Sequence, residues 1–305
     1  MKGDNPLKRI APLFVALGAI SYGIPGSLFK MAHGDRVTDS LLLCATFLIA
    51  FLVFSLGRCL LNPSNRRVPD HKLKWLVVIS GSSMGFTNTF YLLSLAYVPV
   101  AIAAVMMMQS VWLSIAISCL VHRKGPTVTQ VISVITILLG TILATGLFPL
   151  SQSISWKGMG LSFLSALAYA LTIQFTGNVG ANLHPLTKAQ LMSGGALIVI
   201  LVIWLPTILP VHHLATGLAW GGITSFFAML LPLTCFSFFM PQLPLGIGPI
   251  ISSLELPASV VFAFILLGET VTFTQIIGVI LIVLAVVVTN LLPLRLKRQY
   301  QKMNL

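Results

Sequence analysis

Long apolar runs alternate along this chain with short polar or charged stretches. Each run is about 20 residues long, enough for an α-helix to cross the hydrocarbon core of a bilayer. Backbone groups that face lipid have no water to bond, so each run must be helical; barrel strands would instead alternate polar and apolar residues. The pattern predicts an all-α integral membrane protein with ten transmembrane helices, at 10–31, 39–61, 74–96, 99–121, 127–148, 156–177, 187–209, 217–240, 245–267 and 272–292.

Composition narrows the class of protein further. Of the 305 residues, 57% are hydrophobic and 8% charged, whereas a soluble domain carries about 25% charged residues. This excludes a cytosolic enzyme, a secreted disulfide domain and a disordered chain. In a soluble protein, a net charge of +12 would suggest binding to nucleic acid. Here the basic residues lie mostly between and after apolar runs, so we expect no nucleic-acid partner.

The distribution of lysine and arginine predicts the orientation in the membrane. With the N-terminus inside, 15 of the 18 basic residues fall in cytoplasmic segments, Lys188 among them. Only Lys30, Arg36 and Lys157 fall on the other side. We therefore expect both termini in the cytoplasm.

The chain contains an internal repeat. Five helices per half is an odd number, so the second half, 151–305, should be inverted relative to the first, 1–150. Inverted repeats suit alternating access, because two similar units can pack in two ways. A shift of 145 residues places Trp75 on Trp220, Pro99 on Pro244, and Thr127 and Gln130 on Thr272 and Gln275, and a shift of 147 places Tyr22 on Tyr169.

Several motifs resemble the EamA family of the drug/metabolite transporter superfamily. They are the aromatic-Gly opening that ends in Lys at 22–30, Leu-Glu-Leu-Pro at 254–257 and Leu-Gly-Glu-Thr at 267–270. The first repeat departs from the pattern, with Arg123-Lys124 in place of Gly-Glu and Trp112 in place of Pro. The resemblance implies a carrier of ten helices that exports amino acids, nucleotide-related metabolites or drugs, or in some members takes them up. We expect it in a bacterial inner membrane. The resemblance does not identify the substrate.

Glu255 is the main candidate for chemistry. It is the only acidic residue well inside a predicted span, where a charged carboxyl is unfavourable by at least ~2.5 kcal/mol and is functional by default. On a continuous helix it would share a face with Gly248, Ser252 and Ser259. Two roles stay open: a proton carrier or counter-ion for an amine, and a carboxyl that holds neighbouring helices together.

Further residues are predicted to line a path for the substrate or to belong to a moving gate. Lys30 should lie roughly 15 Å above Glu255, beyond the reach of its side chain, unless segment 1 is broken near Pro25. Lys30, Pro25, Pro249 and Pro257 are gate candidates. Polar and aromatic side chains within the spans would bind substrate or bond between helices: Tyr22, Asn88, Tyr91, Gln109, Trp112, Tyr169, Gln174 and Ser252, together with Glu255.

The sequence carries no motif for ATP binding or for the common hydrolases, and no cofactor or metal site is expected. We therefore predict a secondary transporter for a small organic metabolite, surrounded by lipid and exporting its substrate. The sequence leaves open whether the protein forms a homodimer. The alternatives are a facilitative exchanger or channel without ion coupling and, further from the pattern, a non-transporting membrane enzyme or scaffold.

Labelling of single cysteines tests the orientation. With the native cysteines replaced, cysteines at Ser64 and Asn304 should react with a membrane-impermeant maleimide only from the cytoplasmic side, because their neighbours are basic. Cysteines at Ser151 and His212 should react from outside. Reaction of the Ser64 variant from outside would contradict the prediction.

Overall fold

The computed structural model describes residues 6–60, 70–146, 155–208 and 213–303, and all regular secondary structure within these ranges is helical. The four labelling positions above lie outside them. The helices of the first half are α1 (Pro6–Tyr22), α2 (Pro25–Gly34), α3 (Asp39–Cys59), α4 (His71–Ser94), α5 (Val100–Met107), α6 (Ser110–His122) and α7 (Val128–Ala144). Those of the second half are α8 (Trp156–Asn178), α9 (Pro185–Ile208), α10 (Leu214–Ser225), α11 (Leu231–Phe239), α12 (Ile247–Ser252), α13 (Glu255–Leu267) and α14 (Phe273–Met303).

The described helices account for the predicted segments, but four segments are not single regular helices. Segments 1, 4 and 9 are interrupted by short turns, and a π-helical turn, Phe226–Leu230, separates α10 from α11 in segment 8. Eight helical stretches are long and apolar enough to cross a membrane. Two shorter apolar helices, α7 and residues Phe273–Thr289 of α14, lie where segments 5 and 10 were predicted.

The outer surface of the bundle is apolar, as in a multi-pass membrane protein. Large aliphatic side chains such as Leu120, Val202 and Leu13 are more than two thirds exposed. In water such a surface would cause aggregation, whereas in a bilayer it contacts lipid tails. The interior combines apolar clusters with many small polar side chains. Most of the small polar side chains with a bonded hydroxyl donate it to a carbonyl of the preceding turn of their own helix, as Thr87 does to Ser83.

The two halves pack through matched contacts. Where α7 crosses α14, Ser133 is hydrogen-bonded to Thr289, and Ala144 adjoins Gly278. A shift of 145 residues converts the first pair into the second with the helices exchanged, which is the result of a twofold relation. Both helices also begin with a Thr-x-x-Gln cap, closed at each by hydrogen bonds between Thr and Gln.

Lys188 departs from its expected place in a cytoplasmic loop. It lies in the first turn of α9 and is 1% exposed, with its ammonium donating to the carbonyl of Thr176. That carbonyl belongs to the last turn of α8, where the helix dipole favours a cation. One of the 15 basic residues counted for the orientation is therefore interior to the bundle.

Candidate functional site

Glu255 is the first residue of α13 and follows the turn Ser253–Leu254. Its carboxylate lies within the helical bundle, and the residue keeps part of its surface accessible. The hydroxyl of Tyr169, on α8, donates to Glu255 Oε2 at 3.0 Å. No other hydrogen bond or ion pair joins this carboxylate to the part of the chain that the structure describes.

Three tyrosines from different helices lie within electrostatic range of this carboxylate. The rings of Tyr22 and Tyr169 lie 6.2 Å apart and nearly perpendicular, at 85°. Tyr22, on α1, and Tyr91, on α4, both lie within electrostatic range of Glu255. Both are enclosed and partly accessible, as Glu255 is, whereas Tyr169 is 5% exposed. The repeat aligned Tyr22 with Tyr169, and the fold brings these equivalent side chains into contact.

The break in segment 1 places Tyr22 beside Glu255. Pro25 has no N–H to offer the carbonyl of Ser21, which accepts from Ile24 instead at 3.1 Å. The resulting turn brings Gly23 against α13, where an added Cβ would lie 2.6 Å from the Cβ of Ala258. Only glycine allows this close approach, so the turn fixes the distance between α1 and the start of α13.

A tightened turn in segment 9 determines where α13 begins. Pro257 cannot donate to the carbonyl of Ser253, which accepts from Leu256 at 3.3 Å instead. Leu254 similarly bonds to Ile251, three residues back, at 3.1 Å. A short stretch of such bonds within a span is typical of functional hinges. The turn also changes the helical register, so the continuous face predicted for Gly248, Ser252, Glu255 and Ser259 is interrupted.

The same turn occurs 145 residues earlier, without a proline. Gln109 donates its backbone N–H to Met106 at 3.1 Å rather than to Val105, and its side-chain Nε2 donates to the vacated Val105 carbonyl at 3.2 Å. Its Oε1 accepts from Trp112 Nε1 at 2.8 Å. We call this arrangement the Gln109–Trp112 clasp. Trp112 occupies the position equivalent to Pro257, so side chains close in one repeat the turn that proline enforces in the other.

Two more carbonyls near the site accept a hydrogen bond from a side chain. Leu245 precedes α12, so its carbonyl has no helical donor, and Gln130 Nε2 of α7 donates to it at 2.7 Å. In segment 8, Leu231 bonds to Phe226 and Pro232 has no N–H, so the carbonyl of Phe227 lacks a backbone donor. Ser21 Oγ donates to it at 2.7 Å. Neither Gln130 nor Ser21 was predicted as a site residue, and the nearby prolines were the only signal in the sequence.

The other predicted binding residues make local or interhelical bonds. Asn88 is partly buried and donates to the carbonyl of Met84 in its own helix at 3.0 Å. Gln174 bridges α8 and α6 by donating to the carbonyl of Ser114 at 2.5 Å. Ser252 is 2% exposed and donates to Gly248 at 3.0 Å. Their role in binding substrate stays a prediction.

Lys30 pairs with Glu269 and not with Glu255. Its Nζ lies 2.5 Å from Glu269 Oε1, and both side chains are about half exposed. Segment 1 is indeed broken near Pro25, but α2 carries Lys30 to the end of α13 that lies farthest from Glu255. The expected separation of the two residues is therefore consistent with the structure, and the ion pair joins α2 to the loop after α13.

Comparisons with known proteins identify the kind of protein. A solved crystal structure of another protein superposes with a TM-score of 0.74 over 94% of this chain and 99% of that one, at 18% identity. It shows a shared fold of packed helical spans. A sequence comparison with curated proteins finds no match.

The family follows from a second comparison. The EamA-like transporter family model matches residues 9–146 and again residues 156–291. The chain belongs to this family, whose members are membrane transporters of the drug/metabolite type and not enzymes. The resemblance drawn from the motifs is thereby confirmed.

A double-mutant cycle tests the Gln109–Trp112 clasp. Gln109→Leu and Trp112→Phe each remove the hydrogen bond between the two side chains, so their effects on thermal stability in detergent should not add. We expect a coupling free energy of about 0.5–1.5 kcal/mol. Additive effects would show that the two side chains do not stabilise the turn together.

Proposed function

We propose that this protein exports a small organic metabolite across a bacterial inner membrane by alternating access. Family membership indicates a transporter of the drug/metabolite type. The proposal counts the two shorter apolar helices as spans, which gives ten with both termini in the cytoplasm. The enclosed, partly accessible carboxyl of Glu255 is the single observation that carries the proposal.

Matched interruptions in both repeats support alternating access. The turns at Met108–Gln109 and Ser253–Leu254 occupy equivalent positions, and each replaces regular helical bonds with shorter-range ones. Equivalent hinges in two related halves allow the halves to exchange conformations, which would open a central substrate cavity first to one side and then to the other. In this proposal Pro25, Pro249 and Pro257 shape the moving segments.

The Lys30–Glu269 ion pair would act as a latch at the outer end. It joins α2 to the loop that follows α13, two elements that must separate if the cavity opens there. Both side chains are about half exposed, so the pair contributes little to stability and can break during each cycle. Glu255, by contrast, has no basic partner among the described residues.

Glu255 would couple transport to a proton. A carboxyl within a span is stabilised when it is neutral or paired, and movement between two access states changes its surroundings. Protonation from one side and release to the other would then drive net export. Tyr169, which bonds to Glu255, and Tyr22 and Tyr91, which lie near it, would form the adjoining substrate site.

The variant Glu255→Gln separates coupling from transport. The amide keeps the size of the carboxyl and can accept the Tyr169 hydrogen bond, but it does not titrate. In proteoliposomes we expect substrate exchange to persist while accumulation driven by a pH gradient is lost. The labelled substrate would be the first amino acid, nucleoside or cationic drug that raises the melting temperature of the purified protein.

Asp70→Asn is the matched control, because Asp70 is exposed and caps α4, and asparagine caps equally well. It should accumulate substrate as the wild type does. Unchanged accumulation by Glu255→Gln would reject the proton role and favour a facilitative exchanger. Failure of that variant to insert in the membrane would identify the carboxyl as a structural tie between helices.

A further inference from the structure

A hydrogen bond joins the start of segment 9 to a helix outside that segment. Gln130, in the first turn of α7, donates its Nε2 to the carbonyl of Leu245 at 2.7 Å. Leu245 lies just before α12, in the part of segment 9 that precedes the turn beside Glu255. Gln130 is 8% exposed, so the bond forms where water is largely excluded and where a hydrogen bond is strong. We call this bond the Gln130 tie.

Two further features hold the amide of Gln130 in place. Its Oε1 accepts from the backbone N–H of Thr127 at 2.9 Å, within the cap that begins α7. Its Nε2 lies against Gly246, which has φ of +76°, and a Cβ at that position would overlap the amide nitrogen. Only glycine leaves this space open. The tie therefore depends on Gly246 as well as on Gln130.

The second repeat has the same glutamine and the same cap but not the same tie. A shift of 145 residues places Gln130 on Gln275 and Val100 on Leu245. The cap of Gln275 is closed by the same two bonds as that of Gln130. Its Nε2 lies beside Gly146, where an added Cβ would be 3.4 Å away. Among the described residues, no hydrogen bond joins Gln275 to Val100.

The sequence of the first repeat also disfavours an equivalent tie. The position equivalent to Gly246 is 101, and it holds an alanine. The left-handed conformation of Gly246 is unfavourable for any residue with a Cβ, and a Cβ there would displace the amide that must reach the carbonyl. The tie is therefore specific to one end of the bundle.

An exchange of conformations between the repeats would break the tie. In alternating access by inverted repeats, each repeat takes the conformation that the other had before. The start of segment 9 would then lie relative to α7 as the start of segment 4 now lies relative to α14, an arrangement in which no amide reaches the carbonyl. Ser133 and Thr289 bond α7 to α14, and Gly140 packs closely on Gly278. The movement that breaks the tie would therefore be that of segment 9.

We propose that the Gln130 tie is a one-sided lock, which stabilises the conformation of this structure and has no equivalent in the exchanged conformation. A bond that exists in only one of two states shifts the equilibrium between them by its own free energy. Gln130 is then a positioning residue, because it sets the resting state of the empty carrier through the position of segment 9. This inference rests on the proposed function and adds to it a residue that regulates the access cycle.

Distances between spin labels at equivalent positions of the two repeats test the proposal. With the native cysteines replaced, one labelled pair is Val128 with Leu245 and the other is Phe273 with Val100, all exposed side chains. A shift of 145 residues converts the first pair into the second, so exchange of the two conformations would interchange their distances. Electron paramagnetic resonance of the protein in nanodiscs then reports the populations of both states.

The variant Gln130→Met removes the donor of the tie. We expect it to raise the population of the exchanged state about two- to tenfold, with opposite changes in the two labelled pairs. Gln275→Met is the matched control, because it removes the same cap from the other repeat, and it should change the populations by less than about 1.5-fold. Gly246→Ala should act as Gln130→Met does, since it displaces the amide, and it keeps the test decisive if Gln130→Met fails to fold.

Populations that neither Gln130→Met nor Gly246→Ala alters would overturn the lock. A shift in the opposite direction by Gln275→Met would show that the bond is exchanged between the repeats, and would overturn its one-sided character. Failure of the proposed function would appear separately, as absence of substrate exchange in proteoliposomes by a protein whose label distances still respond to Gln130→Met.

Discussion

Every backbone N–H and C=O group within a bilayer must find a partner in the protein, and the site around Glu255 is built under that constraint. Prolines and turns interrupt segments 1, 4, 8 and 9, and several carbonyls at or beside these interruptions have no regular helical donor. Side chains then supply the donor: Ser21 for Phe227, Gln109 for Val105 and Gln130 for Leu245. The irregular backbone around Glu255 therefore has no unsatisfied carbonyl at these positions.

The two repeats satisfy this constraint by different means. In segment 9 the turn is enforced by the covalent structure of proline, because Pro257 lacks the N–H that a regular helix requires. In segment 4 the equivalent turn depends on the Gln109–Trp112 clasp, whose bonds can form and break. The two equivalent turns therefore differ in how they are closed, by proline in segment 9 and by side-chain hydrogen bonds in segment 4. The carboxyl lies beside the proline-closed turn and accepts a hydrogen bond from Tyr169.

Much of this structure follows from the sequence, for physical reasons that also explain the failures. Apolar length predicts where spans lie, and matched Thr-x-x-Gln caps reveal the repeat, because both signals are local. The meeting of Tyr22 with Tyr169 and the burial of Lys188 depend on tertiary packing, which no local pattern encodes. Pro257 indicated an irregular turn close to Glu255, because proline lacks the N–H that a regular helix requires. No such signal accompanies Gln109, because its side-chain bond to Val105 depends on a shift of its own backbone bond that only the structure shows.

The central claim is that the carboxyl of Glu255 changes its protonation when the carrier binds its substrate. The chain contains two glutamates, so Glu269→Asp leaves Glu255 as the only one while preserving a carboxylate for Lys30. Infrared difference spectroscopy of this variant, grown with ¹³C-glutamate, isolates the carboxyl band of Glu255. The account predicts that substrate binding converts the labelled band from its protonated to its ionised form. A labelled band that is unchanged when substrate binds would contradict the account.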